Sequence, residues 1–142
     1  MKPVNVGICG LGTVGAGTYN VLQRNLHDIA RRAGRPVRIV HIGSRRDNPA
    51  CQLDGVKVSR DIFDVVRDPD VHIVVELIGG MTVAKELVLA AIAAGKDVVT
   101  ANKALIAVHG NEIFAAAEAN NVVVAYEAAV AGGIPIIKAI RE

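Results

Sequence analysis

The sequence has little of what would set it apart from an ordinary globular domain. It holds two cysteines, Cys9 and Cys51, too few for a disulfide framework. Aromatic residues make up 3% of the chain, so the apolar supply is aliphatic. No apolar run is long enough to cross a bilayer and no signal peptide leads the chain. The expectation is a cytoplasmic protein without a membrane partner. The formal net charge is +2 and no long basic run occurs, which argues against a nucleic-acid footprint. Internal repeats, low-complexity segments and obvious linkers are absent.

What remains suits one domain. A chain of 142 residues, 51% of them hydrophobic, can bury a core without staples. The apolar residues are mostly Val, Ile, Leu and Ala, as in a parallel sheet covered by helices. Strand and helix patterns alternate. Val4–Cys9 reads as a short buried strand, with Cys9 a small buried residue at its end. A long amphipathic helix follows over about 13–33. Val14, Val21, Leu22, Leu26, Ile29, Ala30 and Ala33 fall on one face, and Gln23, Arg24, His27, Asp28, Arg31 and Arg32 mainly on the other. Gly34 and Pro36 stop it.

Val37–Gly43 is the second strand and Val56–Val58 a short third. Ser59 is placed to cap a small helix running to about Arg67. His72–Ile78 is apolar on both faces except at Glu76. Thr82 is placed to cap a helix with Val83, Leu87, Val88, Ala91 and Ile92 inward, ended by Gly95. Asp97–Thr100 is the next strand. A helix over about 110–119 follows, with Asn120 in the left-handed cap, then a strand over 122–126. Residues 127–133 form a small-residue loop, and Pro135 opens another helix. That helix stops without a cap, so the expectation is a domain cut before a further catalytic or substrate domain.

Gly10-Leu11-Gly12-Thr13-Val14-Gly15 is a GxGxxG between a strand and a helix, the context that gives the pattern meaning. Gly10 permits a sharp turn, Gly12 lets backbone approach a pyrophosphate, and Gly15 lets helix and strand pack closely. The helix amides and dipole then face the phosphates. The fold class is therefore α/β: a Rossmann-type, doubly wound, mostly parallel sheet in three layers, of strand order near 3-2-1-4-5-6. The 2′ position of a dinucleotide is read at the end of the second strand. Ser44-Arg45-Arg46 stands there, without an acid for a ribose hydroxyl. Arg45 and Arg46 can pair with a 2′-phosphate, which favours NADP over NAD.

Three later segments are more specific: VVELIGG (74–80), TANKALIAVHG (100–110) and YEAAVAGGIPII (126–137). In this order after the glycine turn, they closely resemble homoserine dehydrogenases. The resemblance covers nearly the whole chain. It implies NAD(P)-dependent interconversion of L-aspartate 4-semialdehyde and L-homoserine, on the route to threonine, methionine and isoleucine. All three segments start at carboxyl ends of expected strands, where open α/β sheets bind ligands. Gly79 and Gly80 let the turn pass near the cofactor.

Lys103 follows a strand in a small-residue stretch, where partial burial would lower its pKa toward a working range. The resemblance implies that it lines the site near the nicotinamide, in proton transfer or substrate positioning. Asn102 orients nearby backbone. Glu127 stands among small apolar residues and must be paired, protonated or cation-bound. The resemblance implies a sodium ion held by Glu127 and carbonyls of Val130, Gly132 and Ile134. It also implies a loop at Gly133 passing the nicotinamide. His27, His41, His72 and His109, the last in a loop, lack metal-ligand spacing and read as structural or solvated. The full-length enzyme is expected to be a homo-oligomer acting on a small-molecule substrate. Two alternatives remain: another dehydrogenase with this nucleotide domain, or a stand-alone NAD(P)-sensing module.

Overall fold

Six strands pair in parallel. In chain order they are β1 (Val4–Cys9), β2 (Val37–Gly43), β3 (Lys57–Ser59), β4 (Ile73–Glu76), β5 (Asp97–Thr100) and β6 (Val124–Tyr126), and in space they run β3-β2-β1-β4-β5-β6. The computed structural model describes residues 3–10, 13–45, 55–78 and 80–126. Strand order reverses between β1 and β4. The strands read as apolar runs because the sheet is covered on both sides.

One core cluster gathers Val4, Val6 and Ile8 of β1 and Val75 of β4 around Tyr19, Leu22 and Ile29 of α1 (Thr13–Ala33). A second gathers Cys9, Val74 and Val98 with residues of α2 (Phe63–Arg67), α3 (Thr82–Ala93) and α4 (Lys103–Ala119). The sheet is thus the middle of three layers, with α1 on one face and α2, α3 and α4 on the other. Right-handed crossovers place helices this way when strand order reverses. Each buried Val, Leu or Ile contributes about 1.5–3 kcal/mol.

The bounds of β1, α1, β2 and β5 match those read from the pattern. On α1, Leu22 and Ile29 are buried and Gln23, Arg24, His27, Asp28, Arg31 and Arg32 are exposed, as expected. The side chain of Val14 is not among those described. Tyr19, unforeseen in the apolar face, is buried and its hydroxyl accepts from Gln23.

Several expectations need correction. Ser59 does not cap α2: it ends β3, and the cap position is Ile62, which makes no side-chain cap bond. Thr82 is the first residue of α3 and not its cap; Met81 holds that place. Val83 points outward at 43% exposure, while Ala84, one position on, takes the buried stripe. Helix α4 begins at Lys103, seven residues before Gly110, so His109 is helical and not in a loop. The left-handed residue after α4 is Asn121 (φ 58°), not Asn120. The expected loop over 127–133 and the helix at Pro135 lie outside the described residues.

Candidate functional site

The carboxyl ends of the strands lie in register. Ser59 pairs with Gly43, Gly43 with Cys9, Cys9 with Glu76, Glu76 with Thr100, and Thr100 with Tyr126. The loops that follow therefore leave the sheet from one edge. The switch point between β1 and β4, where helices depart to opposite faces, opens a crevice there.

Gly10 turns the chain at this crevice. Its φ is +104°, a region open to glycine at little cost. Its N–H donates to the Gly43 carbonyl at 2.8 Å, and Leu77 N–H donates to the Cys9 carbonyl at 2.9 Å. A Cβ on Gly10 would stand 2.8 Å from Ile78 Cγ2 and 3.0 Å from the Leu77 carbonyl. The turn is held against the loop after β4, with space for no side chain. Helix α1 starts at Thr13, so its unpaired amides and positive dipole end face this edge. Just below, the Cys9 thiol is pushed well above its ordinary range, first by burial and then by the charge of Glu76. It is an inert, buried small residue, as its place at a strand end suggests.

Glu76 and Thr100 end β4 and β5 on the same face of the sheet, and both are fully buried. Glu76 Oε1 accepts from the Thr100 hydroxyl at 2.7 Å, and Oε2 accepts from Ile78 N–H at 2.9 Å. Thr100 Oγ1 in turn accepts from Asn102 N–H at 3.0 Å. Asn102 caps α4, its Oδ1 accepting from Leu105 N–H at 3.0 Å, while its Nδ2 donates to the Gly80 carbonyl. Lys103 is the first residue of α4 and is exposed, so the partial burial expected of it is not observed among the described residues.

At the other side of the crevice, Ser44 and Arg45 follow β2. Ser44 is buried, its N–H donating to the Ser59 carbonyl at 2.9 Å, and its carbonyl accepts from Arg60 Nη1 at 3.3 Å. Arg45 is exposed. The structure thus gathers Gly10, the start of α1, Arg45 and Lys103 at one edge of one sheet.

The sequence pattern described as homoserine dehydrogenase, NAD binding domain, matches residues 10–127. The chain belongs to the homoserine dehydrogenase family. It is similar to the homoserine dehydrogenase of Pseudomonas aeruginosa, 66% identical over 142 residues, which covers 100% of this chain and 33% of that one. For the homoserine dehydrogenase of Neisseria gonorrhoeae the identity is 54% over 143 residues, with the same coverage of 100% and 33%. Among solved structures, a homoserine dehydrogenase from Thiobacillus denitrificans superposes with a TM-score of 0.83 at 59% identity, over 100% of this chain and 33% of that chain. The chain spans about a third of the length of these relatives.

Leu11, Gly12, Arg46, Gly79, Glu127, Val130, Gly132, Gly133 and Ile134 lie outside the described residues. The sodium reading rests wholly on four of them. Thr13, Val14 and Gly15 are described as helical backbone. No group of three or more His, Cys, Asp or Glu able to hold a metal occurs among the described residues. No helix among them is long and apolar enough to cross a membrane.

Two residues of this edge were not singled out from the sequence as site residues. Glu76 carried a signal, being the one acid in an apolar strand. Thr100 carried none, because threonine is an ordinary strand residue and its partner is 24 positions away.

Proposed function

We propose that this chain is the NAD(P)-binding part of a homoserine dehydrogenase, which interconverts L-aspartate 4-semialdehyde and L-homoserine. The observation that carries the reading is the Gly10 turn at the β1/β4 switch point, packed too closely for a Cβ, in a chain of this family. A diphosphate fits such a turn because bare amides and a helix N-terminus supply donors without steric cost. Gly10, Leu11, Gly12, Thr13, Val14 and Gly15 would hold it, with Gly79 and Gly133 beside the nicotinamide half. Arg45 and Arg46 would hold a 2′-phosphate, favouring NADP. When bound, the nicotinamide supplies or accepts the hydride.

The protein's own part is orientation. Asn102 sets the start of α4, and that start carries Lys103 to the carboxyl edge as a cation for substrate positioning or proton transfer. Its exposure here fits a side chain that meets substrate. Because the chain spans about a third of its relatives' length, it would bind cofactor and turn over poorly by itself.

Titration of NADPH and NADH against wild type and Arg45→Ala tests this. The variant should lose NADPH affinity about tenfold or more, the value of a charge-assisted bond, and keep NADH affinity. Equal loss for both would refute the 2′-phosphate assignment. A wild-type chain that binds neither would overturn the cofactor site.

A further inference from the structure

The loops after β4 and β5 meet across one buried carboxylate. Glu76 takes donors from both: Ile78 N–H from its own loop and the Thr100 hydroxyl from the next strand. Thr100 passes the connection to Asn102 N–H. Asn102 then closes a circuit by donating to the Gly80 carbonyl. Ile78 and Gly80 are therefore each linked to residues 100–102, the first through the acid and the second through the amide. Among the described residues no buried side-chain nitrogen or oxygen lacks a partner. An acid is a costly choice for a buried strand end, and an apolar residue of similar size would often serve stability as well. What only the acid provides is two acceptors, one for the loop after β4 and one for the end of β5.

We propose that Glu76 is a positioning residue for the candidate site, setting the spacing between the turn after β4 and the start of α4 that carries Lys103. The inference rests on the cofactor-site reading given above. The role assigned to Glu76 is indirect, exerted through Thr100 and Asn102. The hydrogen-bond inventory explains why neighbouring chemistry does not replace it. Gln has one acceptor and would present an amide donor where one of the two donors now points. Val at position 100 would strip Asn102 N–H and Glu76 Oε1 of a partner together, with little change of shape.

The test compares Glu76→Gln, Thr100→Val and the conservative Thr100→Ser in the full homoserine dehydrogenase chain carrying this domain. The readouts are kcat and KM for homoserine oxidation, the dissociation constant of NADPH, the primary deuterium isotope effect on hydride transfer, and amide hydrogen exchange at Ile78, Asn102 and Leu105. Glu76→Gln and Thr100→Val should lower kcat about ten- to a hundredfold, the cost of a misplacement near 1 Å. The isotope effect should rise and exchange should quicken in both loops, with the NADPH constant nearly unchanged. Thr100→Ser should restore wild-type behaviour. A purely structural role would lower the melting temperature and leave kcat and the isotope effect of the folded enzyme where they were, and that result overturns the proposal. Should Glu76→Gln fail to fold, Thr100→Val decides alone. Wild-type turnover with unaffected variants would remove this assignment only. A wild-type enzyme that neither binds NADPH nor oxidises homoserine would remove the site reading and this assignment together.

Discussion

Gly10 shows how much one missing atom decides. Its φ of +104° would strain any side chain, and its surroundings would clash with one. The two constraints act on the same substitution. Gly10→Ala should destabilise the fold by about 1–3 kcal/mol, the usual cost of such a backbone strain. It should also weaken dinucleotide binding far more than that loss of stability explains, because relief of the clash moves the turn away from the sheet edge. Urea unfolding and cofactor titration of the same variant check both effects; full-strength binding by a folded Gly10→Ala would contradict the close-approach argument. Gly43 meets only the second constraint: a Cβ there would lie 2.8 Å from Ile62 Cα. That contact is with the start of α2, so it constrains packing and not the crevice.

Helix α4 is where the element scale matters most. The pattern placed its start at about Gly110, a residue type that normally ends or interrupts a helix. In the structure Gly110 lies buried inside the helix, and a Cβ there would meet Ile106 and Phe114 side chains at 3.6–3.7 Å, ordinary contact distances. The true start was written at Asn102, a good cap residue; it was read as orienting nearby backbone, and the structure shows that it does so as the cap of α4. Asn102→Ala should cost about 1 kcal/mol through the lost cap, measured by denaturant unfolding. It also removes the bond to the Gly80 carbonyl, so exchange of the loop at 77–80 should quicken as well. A cap acting alone would leave that loop unchanged. On α3 the misplaced residue was Val83, exposed because the buried stripe runs through Ala84, Leu87, Val88, Ala91 and Ile92.

Across the whole molecule, polar groups tie elements that the sequence keeps far apart. Buried His41 of β2 contacts Asp68 Oδ2 at 2.8 Å and Ser59 Oγ at 2.7 Å. Buried Lys96 donates to the carbonyls of Asp68 and Val71 at 2.7 and 2.6 Å. Burial by itself would raise the Asp68 carboxyl, but the Asp70 amide and His41 outweigh it and hold it below the usual range. A lowered folded-state value stabilises above the unfolded value, about 3.9 for Asp, and that contribution is lost as pH falls through the lower folded value. The stability gap between wild type and Asp68→Asn should therefore be full at neutral pH and shrink below about pH 4. Unfolding both proteins at several pH values measures it. A gap that stays constant into acid would show that the carboxylate charge contributes nothing.

Local chemistry determined the order and kind of elements. Apolar runs, one amphipathic helix and a glycine-rich turn specified an α/β sheet, most strand positions and the strand order, because periodicity and turn geometry depend on near neighbours. The family segments were also legible as sequence. What only the folded molecule decided was which distant residues meet: the Glu76–Thr100 bond, the seat of His41, the Asn102–Gly80 link and the exposure of Lys103. Those depend on the register between strands, which places side chains tens of residues apart at one sheet edge. No pattern along a single segment encodes that distance.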